Sequence, residues 1–195
     1  ARSNVTVKAP SLPELLTMYD QSWIPDWFES KRQREEYFEL GRQILNAFYA
    51  AEHDHWNIPV ALESSFKIKI GEYLVTGRID RVDQLSDGSL EIIDYKTGKP
   101  KTKLTADDKE QLLLYQIVAE GLPEYRNLGK PGRLSFYYLN DTTKVSFIGS
   151  GKELNSIKER IVETMEKIRS GNFSPTPNAV VCARCDFRDI CEHRV

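Results

Sequence analysis

The sequence is poor in cysteine, has no long hydrophobic run and lacks an excess of charge of one sign. No apolar stretch approaches the roughly 20 residues that a membrane-spanning helix needs, and no secretory signal pattern is present. We therefore expect no membrane partner and a cytoplasmic location. At 195 residues the chain is long enough to bury a sizeable core within one main domain.

The charge balance limits how the protein can bind nucleic acid. The 27 Lys and Arg residues face 29 Asp and Glu residues, which gives a formal net charge of −2. This excludes a uniformly basic, histone-like surface, so any contact with nucleic acid must come from a local basic patch. The chain is 40% hydrophobic and 29% charged, a composition typical of a globular domain and not of a disordered segment.

The three cysteines are confined to one short segment near the C-terminus. Cys182, Cys185 and Cys191 form a C-x2-C-x5-C pattern, which argues against a secreted disulfide scaffold and for a metal or cluster site in a reducing compartment. With a fourth ligand such as His193, the spacing favours zinc, and an iron–sulfur cluster is the other possibility. The alternative is a set of free thiols in a frayed tail.

The hydrophobic periodicity predicts an α/β fold in which one mixed sheet is flanked by helices. The core domain should occupy residues 1–170, followed by a Pro-bearing linker and the cysteine segment over 171–195. Capping patterns predict that helices begin after Ser11 and Thr105. The predicted helices span 12–21, 32–55, 106–121 and 154–168, and the predicted strands span 60–70, 73–83, 89–96, 133–139 and 144–148.

Three polar side chains interrupt two of the apolar strands. Asp94 and Lys96 lie two residues apart on one strand and so share a face, and Asp80 can lie beside Asp94 on the preceding strand. Paired carboxylates suit Mg²⁺ or Mn²⁺, and a neighbouring lysine can orient a water or offset charge on a phosphate. The alternative is an ordinary solvated salt bridge. We favour a functional site, because uncompensated carboxylates inside apolar strands are costly.

The motifs G-x-x-D-R-x-D at Gly77–Asp83, I-I-D-Y-K-T-G at Ile92–Gly98 and Q-x-x-x-Y at Gln111–Tyr115 resemble the RecB-like, AddB-type branch of the PD-(D/E)XK nuclease superfamily. The resemblance implies a restriction-endonuclease-like fold and a metal-dependent DNA nuclease of repair or recombination, often joined to a helicase domain or subunit. It further implies a role for each matched residue. Asp80, Asp94 and the main-chain carbonyl of Tyr95 would bind the metal, Lys96 would be the catalytic lysine, and Gln111 and Tyr115 would position the substrate or support Lys96.

The sequence departs from this family in two places. Similar nucleases hold a [4Fe–4S] cluster with a C-terminal cysteine triplet and a fourth cysteine far upstream, and they carry a histidine ligand in a G-x-x-x-H context ahead of the strands. Neither upstream feature is in this sequence. We expect the first helix of the family domain, with both residues, to precede Ala1. His53 and His55 lack the matching context, so we interpret them as surface or hinge residues.

Two other functions remain open on the sequence alone. One is a catalytically inactive DNA-binding or assembly module of the same fold, and the other is a zinc or iron–sulfur structural module in which the carboxylates are incidental. Glu63 is either an auxiliary acidic ligand or a strand carboxylate held by a partner. Basic residues around the predicted site are candidates for gripping the DNA backbone: Arg78, Arg81, Lys99, Lys101 and Lys103.

Overall fold

The computed structural model describes residues 9–101, 103–171 and 173–195. The predicted core domain therefore begins with eight residues, 1–8, that lie outside the described residues. The helices are α1 (Leu12–Ser22), α2 (Lys31–Glu52), α3 (Ala106–Gly121), α4 (Pro123–Arg126), α5 (Gly151–Arg169) and α6 (Ala179–Ala183). The strands are β1 (Ala61–Ile70), β2 (Tyr73–Gln84), β3 (Leu90–Lys96), β4 (Pro131–Tyr138) and β5 (Thr143–Phe147).

The five strands form one sheet in the order β1-β2-β3-β4-β5. Neighbouring strands are antiparallel except β3 and β4, which run parallel. A parallel pair needs a long crossover connection, and α3 and α4 supply it between these two strands. The predicted mixed sheet with flanking helices is confirmed.

Capping side chains fix where the helices begin. Thr105 accepts a hydrogen bond from the Asp108 amide, and the Asp108 carboxylate accepts one from the Thr105 amide at 2.9 Å. Ser150 and Glu153 form the same reciprocal box at the start of α5. The helix predicted over 32–55 is shorter than expected and ends at Glu52, where the His55 amide donates to the Glu52 carbonyl and tightens the last turn.

The two faces of the sheet differ in chemistry because side chains alternate along each strand. One face packs against α3 and α5 and forms the apolar core, which includes Phe66, Ile92 and Leu134. On the other face lie several buried polar side chains and the C-terminal end of α2, where the Tyr137 hydroxyl donates to Glu52 at 2.7 Å. In the described parts of the chain, no helix is long and apolar enough to cross a membrane.

Candidate active site

The pairing of β2 with β3 brings Asp80 and Asp94 to the same place. Arg81 pairs with Ile93 across the two antiparallel strands, so one further step along each strand sets Asp80 opposite Asp94. The Tyr95 amide donates to Oδ2 of Asp80 at 3.0 Å. The strand register therefore places two carboxylates side by side at one end of the hairpin and fixes the direction of the first.

Asp94 is a buried carboxylate with one close cation. Its side chain is 3% exposed, and Nζ of Lys96 lies 2.6 Å from its Oδ2. This ion pair is the one polar contact of Oδ2 among the described residues. Burial raises the pKa of Asp94 above its ordinary value, the contact with Lys96 opposes that rise, and the neighbouring charge of Asp80 adds to it.

Helix α3 continues the site from Lys96 into the core. Nζ of Lys96 donates to Oε1 of Gln111 at 2.8 Å, and Nε2 of Gln111 donates to the Tyr115 hydroxyl at 3.0 Å. Gln111 and Tyr115 are four residues apart and so share one helix face. Tyr115 is 6% exposed, and burial raises the pKa of its hydroxyl while Gln111 lowers it and the carboxylates of Asp94 and Asp80 raise it further.

The residues predicted as the site thus converge in one chain of contacts, with Tyr95 placed between Asp94 and Lys96. Among the described residues, no group of three His, Cys, Asp or Glu side chains is arranged to hold a metal ion. The donor set at Asp80 and Asp94 nevertheless fits a hard divalent cation, because the two residues supply carboxylate oxygens from adjacent strands.

Glu63 lies in β1 beside Asp80 and has a partner. It stands between the Leu62–Arg81 and Ser64–Ile79 pairs of the β1–β2 ladder. Its φ of 45° is unusual for a strand residue with a side chain and marks a local irregularity. Its carboxylate lies 3.1 Å from Nε of Arg78, so the structure matches the partnered-carboxylate interpretation. Nothing in the sequence pattern signalled the left-handed backbone.

Arg81 does not belong to a DNA-gripping patch, contrary to the sequence-based expectation. Its side chain is 11% exposed and lies on the face of the sheet opposite Lys96, where Nε and Nη2 donate to the two carboxylate oxygens of Asp83 at 2.7 and 2.9 Å. Burial opposes the charge of Arg81, but the hydrogen bonds to Asp83 and Tyr95 outweigh it and raise the pKa of the guanidinium above its usual value. Residues i and i+1 of a strand face opposite sides, so Asp80 and Arg81 separate.

The cysteine segment stands apart from these contacts. Cys182 lies in α6, and Cys185 and Cys191 follow it on either side of a short 3-10 turn, Arg188–Ile190. All three are free thiols of intermediate exposure. In the part of the chain that the structure describes, they are not gathered with a further His, Cys, Asp or Glu into a group arranged to hold a metal ion.

Comparison with known proteins identifies the family. The sequence model of the PD-(D/E)XK nuclease superfamily matches residues 4–192. The chain belongs to the PD-(D/E)XK nuclease superfamily. The five-stranded mixed sheet with flanking helices is the fold of this family.

The alignments with individual relatives cover only part of this chain and only part of each relative. The Gene 69 protein of Mycobacterium phage L5 is 29% identical over 143 residues, which is 67% of this chain and 44% of the phage protein. One subunit of the ATP-dependent helicase/deoxyribonuclease of Streptococcus pyogenes is 61% identical over 37 residues, 18% of this chain and 4% of that protein. The chain thus spans less than half the length of these relatives.

Among solved structures, the crystal structure of SSO0001 covers 94% of this chain and 95% of its own, with 18% identity and a TM-score of 0.46. A TM-score below 0.5 is too low to support a functional comparison.

Proposed function

We propose that this chain is a Mg²⁺- or Mn²⁺-dependent deoxyribonuclease of the RecB-like kind that hydrolyses phosphodiester bonds. The observation that carries the proposal is the placement of two carboxylates on adjacent strands with a lysine between one of them and a helix-borne amide. Asp94 contacts Lys96 at 2.6 Å, and Lys96 donates to Gln111 at 2.8 Å. Membership of a nuclease superfamily supports the reaction class.

Each of these side chains has a task in hydrolysis. Asp80, Asp94 and the carbonyl of Tyr95 would hold the divalent ion. When bound, the ion supplies a Lewis acid and lowers the pKa of a coordinated water. During cleavage a water oxygen bonds to phosphorus and an ester P–O bond breaks, so negative charge grows on the phosphate oxygens. Lys96, in its ammonium form, places a positive charge where that charge develops.

Gln111 and Tyr115 keep Lys96 in place. The Lys96 ammonium needs acceptors to hold its direction, and Gln111 Oε1 supplies one at 2.8 Å. The Tyr115 hydroxyl accepts from the other end of the same amide at 3.0 Å, which fixes which end of Gln111 faces the lysine. A misplacement of about 1 Å in such a group can cost on the order of 100-fold in rate.

Two observations support DNA as the substrate and a helicase as the partner. The short match to a protein named as part of a helicase/deoxyribonuclease, together with the order of the D-Y-K-T-G and Q-x-x-x-Y motifs, favours DNA as substrate and a helicase domain or subunit as partner. The exposed lysines and the clustering of cysteines fit a DNA-processing enzyme in a reducing compartment such as the cytoplasm.

A cleavage assay tests the reaction. Labelled single-stranded DNA, double-stranded DNA and RNA of one sequence are incubated with the chain and Mn²⁺ or Mg²⁺, with and without EDTA. We expect metal-dependent cleavage of DNA, and a rate lower by on the order of 100-fold in Lys96→Ala, because one charge that stabilises the transition state is removed. Lys67→Ala, an exposed lysine on β1, is the control and should cut like the parent.

Calorimetry tests the metal site without DNA. Titration with Mn²⁺ should show binding to the parent chain and its loss in Asp80→Ala and Asp94→Ala. Unchanged affinity in both variants, cleavage that survives EDTA, or full activity of Lys96→Ala would each refute the proposed site. Cleavage of RNA in preference to DNA would refute the substrate assignment alone.

A further inference from the structure

A second set of contacts lies on the face of the sheet opposite Asp80, Asp94 and Lys96. Arg81 and Asp83 are 11% and 5% exposed in their side chains, and two parallel hydrogen bonds of 2.7 and 2.9 Å join them. Nη2 of Arg81 also donates to the Asn57 carbonyl, and Nη1 donates to the Tyr95 hydroxyl, each at 3.2 Å. A guanidinium with its donors engaged in this way is held rigidly.

Tyr95 connects this buried pair to the active-site face. Its ring packs against Phe48 of α2 and Tyr137 of β4, with centroid distances of 6.3 and 5.8 Å, and its hydroxyl accepts from Arg81. Its main-chain amide donates to Oδ2 of Asp80 at 3.0 Å. The side chain of Tyr95 is therefore fixed on the face of the sheet that holds Arg81, while its peptide group contacts the Asp80 carboxylate, which belongs to the other face.

We propose that the Arg81–Asp83 pair is a positioning device that fixes the direction of the Asp80 carboxylate through Tyr95. Among the described contacts, the side chain of Asp80 has one polar partner, the Tyr95 amide, so the direction of that peptide group sets the direction of the carboxylate. The pairing of β3 with β4 and the Tyr95 side chain, which Arg81 anchors, together hold that peptide group. The consequence for catalysis rests on the proposed function of Asp80.

A purely structural role would predict something different. Replacing a buried ion pair with apolar side chains of similar size often leaves stability unchanged. If the pair serves only the fold, such a replacement should leave the carboxylate on the other face undisturbed. If it positions Asp80, the fold should survive while the Tyr95 amide and the metal affinity change. Groups one layer outside a metal's ligands influence affinity in this way.

The test compares the double variant Arg81→Met/Asp83→Leu with Tyr95→Phe and with Tyr137→Phe. Arg81→Met alone would leave the Asp83 charge buried and unpaired, so the double variant is used to keep the fold. Tyr95→Phe removes only the acceptor of Arg81 and leaves the pair intact. Tyr137→Phe is the matched control, because its hydroxyl is on the same face and donates to Glu52 instead.

Two readouts are measured on the whole chain: hydrogen exchange of the Tyr95 amide by NMR without metal, and Mn²⁺ affinity by calorimetry. In the double variant we expect both the exchange rate and the Kd for Mn²⁺ to rise by on the order of 10-fold. Tyr95→Phe should show smaller changes in the same direction. Tyr137→Phe should match the parent in both.

The outcomes separate this inference from the proposed function. An unchanged Tyr95 exchange rate in a folded double variant, or faster exchange with unchanged Mn²⁺ affinity, overturns the positioning role even if the parent cuts DNA. The parent chain can also turn out neither to bind Mn²⁺ nor to cut DNA. In that case, faster exchange of the Tyr95 amide in the double variant supports the positioning of Asp80 and refutes the proposed function instead.

Discussion

At the scale of single residues, Asp94 is the position where the chain departs most from what a stable core requires. The carboxylate is 3% exposed and directly follows the buried apolar pair Ile92 and Ile93. Burial raises its pKa, so the folded environment disfavours the charged form that it needs in order to hold a cation. Such costs are typical of functional sites, where local stability is given up for a prepared geometry.

We predict that Asp94→Asn stabilises the metal-free protein at neutral pH. The pKa of the carboxyl is higher in the folded chain than in the unfolded one, so the parent loses stability as pH rises from the unfolded value of about 4 through the folded value. The variant, which carries no charge there, should exceed the parent by about 1 kcal/mol in free energy of unfolding at pH 7. Urea unfolding in EDTA at pH 4 and pH 7 measures the difference.

Asp26→Asn, an exposed loop aspartate, is the control for that measurement and should behave like the parent at both pH values. A variant Asp94→Asn that is less stable than the parent at pH 7 would contradict the prediction. It would mean that the contact with Lys96 outweighs the burial cost.

At the scale of secondary-structure elements, the glycine of the G-x-x-D motif shapes the floor of the site. Gly77 pairs with Phe66 across β1 and β2, and a Cβ at Gly77 would lie 2.5 Å from the Phe66 ring. The ring covers the glycine and packs edge-to-face on Tyr115 at 5.9 Å. An aromatic side chain over a cross-strand glycine is a known way to fix strand register.

Gly77→Ala should therefore destabilise the fold by about 1–3 kcal/mol, because the new methyl group must displace a buried ring. Gly98→Ala is the matched control, since a Cβ there meets nothing within 4 Å and no left-handed backbone is required. We expect it to be neutral or slightly stabilising, as the unfolded chain loses freedom. Urea midpoints of the two variants test this, and equal midpoints would show that the Phe66 ring moves at no cost.

The N-terminus of α3 depends on a carboxylate that stays charged in acid. Asp108 accepts hydrogen bonds from Lys101 and from the Thr105 amide and hydroxyl. The bond from Lys101 contributes most, followed by those from Thr105, and together they lower the pKa of Asp108 to about 2. Because α3 carries Gln111 and Tyr115, this cap also holds the residues that contact Lys96.

We predict that Asp108→Asn weakens the acid dependence of stability. A carboxyl whose pKa is lower in the folded chain stabilises it above the unfolded value of about 4, and that contribution is lost as pH falls toward about 2. The parent should thus lose more unfolding free energy across this window than the variant does. Denaturant unfolding at pH 2, 3, 4 and 5 measures the slope for each protein.

Asp107→Asn is the control, because Asp107 is the neighbouring carboxylate of the same helix turn and is 83% exposed. The free energy of unfolding of this variant should change with pH as steeply as that of the parent. If the two variants give the same slope, the Asp108 cap does not account for the acid sensitivity of α3.

At the scale of the whole molecule, the sheet divides an apolar core from a polar layer. The core lies between the sheet and the helices α3 and α5. The opposite face holds the buried side chains of Asp83, Glu91 and Ser135, each with a hydrogen-bond partner. The candidate site lies on the α3 side of the sheet, within β2 and at the C-terminal end of β3. No described residue of the cysteine segment is among the buried residues of the core or of the polar layer.

We predict that this 195-residue chain binds less than a full [4Fe–4S] complement. A cluster of that type takes four thiolate ligands, whereas the chain has three cysteines, and among the described residues they are free thiols. Iron and acid-labile sulfide are quantified for the purified chain and for the triple variant Cys182→Ser/Cys185→Ser/Cys191→Ser. We expect both to give similar, low values. Four irons and four sulfides per parent chain, absent from the variant, would prove this wrong.

Much of the fold could be predicted because its signals are local. The alternation of Phe66, Ile68 and Ile70 with lysines predicted β1, and the structure buries those three side chains. The capping residue Thr105 predicted the start of α3. The short helix α4 escaped prediction because four residues are too few to show helical periodicity.

The sequence by itself determined which residues are candidates for chemistry and which face of their own element each occupies, because the periods of strands and helices depend only on local backbone geometry. It placed Asp94 with Lys96 and Gln111 with Tyr115. Only the tertiary structure decided that Gln111 contacts Lys96 and that Arg81 contacts the Tyr95 hydroxyl. Those contacts depend on strand register and on how α3 packs across the sheet, and many residues far apart in the chain set both together.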